Sequence, residues 1–182
     1  MTSDLLQFAF YCAVLVALAV PLGAYMAKIY AGVPGFLADM ERPIFRLAGI
    51  DPDKGQSWQA YALAMLAFNA AGFALLFIIL KFQDLLPFNP QGLPGLPGHL
   101  AFNTAISFVT NTNWQSYGGE TTMSYFSQMA GLTTQNFVSA ATGMAVAAGV
   151  ARGLAGRQSK TIGNFWADMT RSTLYILVPI SI

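Results

Sequence analysis

Ser107-Phe108-Val109-Thr110-Asn111-Thr112-Asn113-Trp114-Gln115-Ser116-Tyr117-Gly118-Gly119-Glu120 is a run of small amide, hydroxyl and glycine residues lodged between two segments hydrophobic enough to cross a bilayer. Irregular polar backbone at membrane depth is tolerated only where protein buries it or where it lines a wet cavity. A short helix leading into such a run, between two spanning helices, is the layout of a cation selectivity filter. There, backbone carbonyls replace the hydration shell of an ion.

The flanks bear this out. From His99 to Thr110 the pattern reads as a helix of about three turns, roughly 18 Å long and too short to span. It must dip in and return, which places about half a negative charge from its carboxyl end where a cation would sit. Before it, Pro87, Pro90, Pro94 and Pro97 cannot continue a helix and predict a stiff, extended connection. After it, Thr110, Asn111, Thr112 and Asn113 are the candidate ion-binding residues, offering carbonyls as the chain climbs back out. Gln115 and Glu120 are candidates for the filter mouth. Glu120 would attract cations or charge the amino end of the next helix. Gly118-Gly119 supplies a turn back into helix.

Composition places the whole chain in the same class. It is 55% hydrophobic and 9% charged, with a mean hydropathy of +0.51, against roughly 25% charged residues in soluble domains. A net charge of +1 leaves no basic face for nucleic acid. The single histidine, His99, excludes paired imidazole ligands for haem or zinc and reads as a helix-start residue. Cys12 lies in an apolar run and reads as a small hydrophobe.

Charged residues divide the chain into spans. Leu5 to Ala27 carries no charge, and Pro21 predicts a kink in its last third. No basic residue precedes it, so it does not read as a signal peptide. A second span runs from Trp58 to Leu80, where Gly72 with Ala67, Ala70, Ala71 and Ala74 would let another helix approach closely. A third lies between Glu120 and Arg152, with its apolar heart from Met129 to Val150. Asn69 and Asn136 are expected to hydrogen-bond between helices. After Arg171 the chain turns apolar again and stops eleven residues later, short of the about 20 needed to cross. The expected organisation is a leading transmembrane helix (1–28), a loop (29–57), a helix–pore-loop–helix repeat (58–151) with its re-entrant filter near 99–120, a second loop (152–171), and the start of a truncated further helix (172–182). The fold class is all-α integral membrane.

Eight of the nine lysines and arginines fall in the two loops after the first and third spans. They are Lys28, Arg42, Arg46 and Lys54, then Arg152, Arg157, Lys160 and Arg171, with only Lys81 on the other side. The positive-inside rule makes those loops cytoplasmic and the amino terminus and filter extracytoplasmic. Trp58 and Trp166 then fall at the inner boundary and Trp114 near the outer one, as interfacial aromatics. Asp39 and Glu41 beside Arg42 and Arg46 read as a solvated loop or an amphipathic helix.

The run from Ser107 to Glu120, the downstream Ser124-Tyr125-Phe126-Ser127-Gln128-Met129-Ala130-Gly131-Leu132-Thr133, and Gln135-Asn136-Phe137 together resemble the first pore loop and following helix of the KdpA family. Pro21-Leu22-Gly23, Asn89-Pro90-Gln91 and Leu93-Pro94-Gly95 are similar to that family as well. The family comprises potassium-binding subunits of bacterial ATP-driven uptake systems, related to Trk- and HKT-type transporters and to potassium channels. The resemblance implies a leading helix and four pore-loop repeats, of which this sequence holds the first and the beginning of the second. It implies a non-catalytic subunit in the bacterial inner membrane that binds extracellular potassium and delivers it through an intramembrane tunnel. The recipient would be KdpB, the P-type ATPase subunit, with KdpC and KdpF completing the complex. Potassium is substrate there, and no cofactor is implied. Thr110-Asn111-Thr112-Asn113 departs from the channel signature TVGYG in lacking glycine. Asn111 stands where related filters place glycine, and asparagine tolerates the left-handed backbone. Other classes stay open: a Trk- or Ktr-like protein or a plain potassium channel without ATP coupling, and a non-transporting anchor of a redox complex, which the lone His99 disfavours.

Overall fold

The structure, a computed structural model, describes residues 2–32, 35–112, 114–156 and 160–182. It is all-helical, with no strand among the described residues, and falls into two compact units, Met1–Gly49 and Ile50–Ile182.

In the first unit, α1 (Thr2–Ala31) is apolar over its whole length, with Asp4 in its first turn and Lys28 in its last. Those signs suit the partial charges of the two helix ends. The helix continues through Pro21, at the loss of one backbone hydrogen bond. α2 (Gly35–Ala48) is amphipathic. Met40, Ile44 and Leu47 are exposed, Glu41 and Phe45 are buried, and Arg42 pairs with Asp39 at 2.6 Å in the open. Gly49, at φ +66, ends it.

The second unit is built on two long apolar helices. α3 (Trp58–Lys81) is capped by Ser57, whose hydroxyl accepts the Ala60 N–H at 3.3 Å. After a 3₁₀ turn (Gln83–Leu85) and the proline-rich connection comes α4 (Gly98–Val109), then the short α5 (Gly119–Thr122). A π-helical segment (Ser127–Thr133) leads straight into α6 (Thr134–Ala155). Here the Thr133 hydroxyl donates five residues back, to the Gln128 carbonyl at 2.8 Å, in keeping with the wider turn. α7 (Phe165–Arg171), a second π segment (Ser172–Leu177) and α8 (Val178–Ser181) form one continuing helical rod. Among the described residues three helices are long and apolar enough to cross a membrane: Asp4–Ala31, Trp58–Lys81 and Ser127–Ala155.

α6 runs antiparallel to α3. At one end Gln83, just past α3, holds Ser127; at the other Tyr61 meets Ala145 and Gly149. The helices touch where side chains are smallest. A Cβ on Gly131 would lie 3.1 Å from Leu76, and one on Gly72 would lie 2.8 Å from the Gln135 amide oxygen. Gly72 is thus a contact of the expected kind. Ala67, Ala70, Ala71 and Ala74 instead face outward.

Polar groups fasten the Trp58 end. Arg152 on α6 makes a fork to Asp168 on α7, 2.7 Å to each carboxylate oxygen, and also donates to the Ile162 carbonyl at 3.1 Å. Asp168 is 2% exposed and accepts the Tyr61 hydroxyl of α3 at 3.0 Å. Gly163, at φ +106, lies where any Cβ would collide with the Arg152 guanidinium. Asn164 caps α7 by accepting the Trp166 and Ala167 N–H groups, while its own amide donates to the carbonyls of Asp51 and Lys54. One buried carboxylate therefore ties three helices together.

Removing that carboxylate strands a partly buried guanidinium. Asp168→Ala is expected to cost about 3 kcal/mol, and Arg152→Lys less, because the charge stays while the two-pronged geometry is lost. Thermal unfolding in detergent reads both. Equal and negligible shifts would mean the clamp does not hold the helices.

Candidate functional site

α4 is a half-span. Its start is pinned to the Lys81 end of α3: Leu96 donates its N–H to the Leu80 carbonyl at 3.1 Å and accepts from the Lys81 ammonium at 3.2 Å. Its far end, Val109 with Thr110 and Asn111, borders a cavity of ≈ 480 Å³ together with Met65, Leu66 and Asn69 of α3 and Ser139, Thr142 and Gly143 of α6. Those residues lie near the middle of each long helix. A 12-residue helix of about 18 Å thus carries its carboxyl end to mid-depth and stops there. It is held by Ala101, Ala105 and Phe108 against Leu76, Leu80 and Leu132. The alanines allow close approach, and Phe108 fills the gap that remains.

The stop is a hydrogen-bonded cap. Asn111 takes φ +54, the left-handed conformation expected of it. That reversal returns the Thr112 N–H to the Ser107 carbonyl at 3.0 Å and the Asn111 N–H to the Phe108 carbonyl at 3.3 Å. These two bonds define a Schellman ending, with asparagine where glycine is commonest. Both threonine hydroxyls turn back to the same helix end. Thr110 donates to the Ile106 carbonyl at 2.8 Å, Thr112 to the Ser107 carbonyl at 3.3 Å, and the two oxygens lie 3.0 Å apart. Two of the last carbonyls of the helix proper are consumed by the cap. The segment that departs from it begins at Thr110, beside the negative end of the helix. Asn113 lies outside the described residues.

The chain then climbs back along α4. Trp114 bonds to Ser107 through both its N–H (3.1 Å) and its carbonyl (2.9 Å), and the Ser116 hydroxyl reaches Asn103 at 3.4 Å. Trp114 was expected at the outer boundary. It sits one helical turn above the deep end instead, because the Ser107 hydroxyl takes its whole peptide unit. Gln115 and Glu120 are exposed. Glu120 belongs to α5, seven residues before the π segment begins, so its charge serves that short helix and not the long one. Tyr117 packs against the α3–α4 core, and burial raises its phenol above the ordinary value, keeping it neutral.

Gln83, 0% exposed, is the bolt of the upper half. Its amide nitrogen donates to the carbonyls of Pro94 and Thr122 at 2.7 and 2.8 Å. Its oxygen accepts the Ser124 N–H at 2.9 Å and the Ser127 hydroxyl at 3.0 Å. One side chain joins the proline-rich connection, the end of α5 and the start of the second long helix. The connection is not straight: Asn89 closes a turn through two bonds to Leu93, 2.8 and 2.9 Å, with Gly92 at φ +62.

Asn69 was expected to bond between helices. Its amide donates instead to the Met65 carbonyl of its own helix at 2.8 Å, and the residue borders the cavity beneath Asn111. Asn136 is exposed beside a second hollow of ≈ 310 Å³ lined by Tyr117, Gln128 and Thr133. Sequence reading assigned no role to Ser107, Gln83 or Asp168. The usable signal was cost: a polar group inside or just beside an apolar span needs a partner.

Fold and site together define an all-helical membrane protein organised around a re-entrant helix and loop. The family model described as KdpA, potassium-transporting ATPase A subunit, matches residues 9–182. A potassium-transporting ATPase potassium-binding subunit from Methylorubrum extorquens is 57% identical over 180 residues, covering 97% of this chain and 32% of its own length. Proteins of the same name from Caulobacter vibrioides and Rhodospirillum centenum are each 56% identical, covering 91% and 100% of this chain and 30% and 32% of their own. This chain belongs to the KdpA family, and it spans about a third of the length of these relatives.

The left-handed cap sets a sharp expectation for Asn111. Asn111→Gly should preserve it, whereas Asn111→Val should cost about 1–2 kcal/mol from the clash of Cβ with the following carbonyl. Thermal unfolding of the two variants in detergent checks this; equal melting would contradict a strained site.

Proposed function

We propose that this chain provides an extracellular potassium-binding loop of an ATP-driven uptake complex in the bacterial inner membrane. The observation that carries the reading is the capped end of α4 beside the middle of the two long helices, with the chain leaving it at Thr110. Backbone carbonyls of that loop coordinate the dehydrated ion, together with carbonyls from equivalent loops. The helix end adds favourable potential. Within this chain the loop is held by Ser107, through Thr112 and Trp114, so the donor positions exist before the ion arrives and little ordering is needed on binding.

The role is binding and conduction, without catalysis. Potassium is the substrate, passing from the loop through an intramembrane tunnel to an ATPase subunit of the KdpB kind, with KdpC and KdpF as further partners. The basic loops lie in the cytoplasm, and the amino terminus and the proline-rich connection outside. The support is the eight-to-one division of lysine and arginine between the two sides and the names of the relatives.

Gln115 follows Trp114 on the return strand and borders the mouth. A guanidinium at that position, about 6 Å from a bound ion at an effective dielectric of about 20, repels it by roughly 3 kcal/mol before screening. In cells whose potassium uptake depends on this chain, Gln115→Arg should raise KM up to about a hundredfold, and the uncharged Gln115→Leu much less. Equal losses would mean the amide is needed only as a hydrogen-bonding group, and an unchanged Arg variant would remove the position from the ion path.

Orientation has its own test. In a Cys12→Ser background, Ser116→Cys should react with an impermeant thiol reagent on intact cells and Lys160→Cys only after permeabilisation. Equal labelling from outside would reverse or void the assignment.

A further inference from the structure

We infer that Ser107 is a positioning residue for ion discrimination, fixing through a pair of hydrogen bonds to Trp114 the width of the loop that holds the cation. The inference rests on the proposed potassium-binding role of that loop.

Contacts from both sides of the loop converge on this one residue. Its carbonyl accepts the Thr112 N–H at 3.0 Å, and its hydroxyl both donates to the Trp114 carbonyl at 2.9 Å and accepts the Trp114 N–H at 3.1 Å. The segment between Val109 and Trp114 is therefore closed at its base, both strands leaving from a single point on a packed helix. Ser107 itself is 0% exposed. Water has no access with which to replace the hydroxyl, and the helix beneath it cannot shift without disturbing its contacts with Leu76 and Leu80.

Consider what the loop would do without that closure. The Trp114 peptide unit has a donor and an acceptor that both need partners at this depth. With the hydroxyl gone, they find them only by moving, and the return strand moves with them. A loop anchored at one end can contract around a smaller cation. One anchored at both ends keeps its carbonyls at the separation that suits the larger ion, and a smaller ion is left under-coordinated. Selectivity by a fixed cage needs a device that resists contraction, and the serine is such a device. Thr110 and Thr112 do not duplicate it, because their hydroxyls bond to the helix end and leave Trp114 untouched.

The expectation is specific to hydrogen bonding. Alanine removes both bonds to Trp114. Cysteine occupies the site with a weak donor and weak acceptor. Potassium uptake through the intact complex, with sodium as competitor, gives KM, maximal rate and the sodium inhibition constant for the parent, Ser107→Cys and Ser107→Ala, each normalised to the amount of assembled complex. Ser107→Ala should raise the potassium KM about tenfold, equivalent to ~1.4 kcal/mol. It should also strengthen sodium competition by a similar factor, with the maximal rate per complex little changed and Ser107→Cys in between.

An unchanged KM and unchanged sodium competition in Ser107→Ala would overturn the inference. So would a fall in assembled complex with both ratios intact, since that is what a merely structural serine predicts. Should the alanine variant fail to assemble, the cysteine variant decides alone: a shifted sodium ratio supports the role and an unshifted one refutes it. If the parent shows no saturable potassium uptake, the proposed function fails, and this result is distinct from any outcome in the variants.

Discussion

A peptide group halfway across a bilayer has no water to bond with, so every N–H and carbonyl there must be satisfied by the protein or left for a ligand. The end of α4 is built around that constraint. Its last N–H-seeking carbonyls are met by the reversal at Asn111, and its return strand is met by Ser107. The length of α4, its burial by alanines and the crossing of α3 and α6 all serve to hold that helix end at mid-depth.

Two polar fasteners frame this site from opposite ends of the long helices. Gln83 gathers the proline-rich connection, the end of α5 and the first turn of the second long helix. Asp168, on α7, gathers Tyr61 and Arg152 and through them α3 and α6. Neither touches the loop. Between them the helices pack by shape, with Gly72 against Gln135 and Gly131 against Leu76. Apolar packing in a lipid environment brings no hydrophobic advantage over lipid contact, so directional bonds at the ends carry much of the registration. Fixing that register puts Asn69, Ser139 and Thr142 around the cavity under Asn111.

The π segment at Ser127–Thr133 belongs to the same geometry. It lets one continuous rod change its face between the Gln83 bolt and the mid-depth cavity, and the hydroxyl of Thr133 reaches the carbonyl its wider turn exposes. Gly131 in the middle of it lies against Leu76 and Ile79 of α3.

The class of the protein was legible in the residues because bilayer thickness converts directly into length. Apolar runs at Trp58–Lys81 and Ser127–Ala155 are spans, and a 12-residue helix between them is not. Asn111 was legible for a similar reason, since few residues accept a positive φ. Partners at long range were not. Nothing local pairs Gln83 with Thr122 or Asp168 with Tyr61, and nothing near Trp114 announces that its peptide belongs to Ser107 and not to the membrane surface. Asn69 was misread because the choice between its own helix and a neighbour depends on which face turns inward, which only the crossing of α3 and α6 decides. The sequence by itself determined which stretches enter the bilayer and where the backbone must reverse, since those follow from hydrophobicity, length and permitted dihedrals. The tertiary structure decided which polar group satisfies which, because at membrane depth that depends on what lies within 3 Å and not on what lies nearby in the chain.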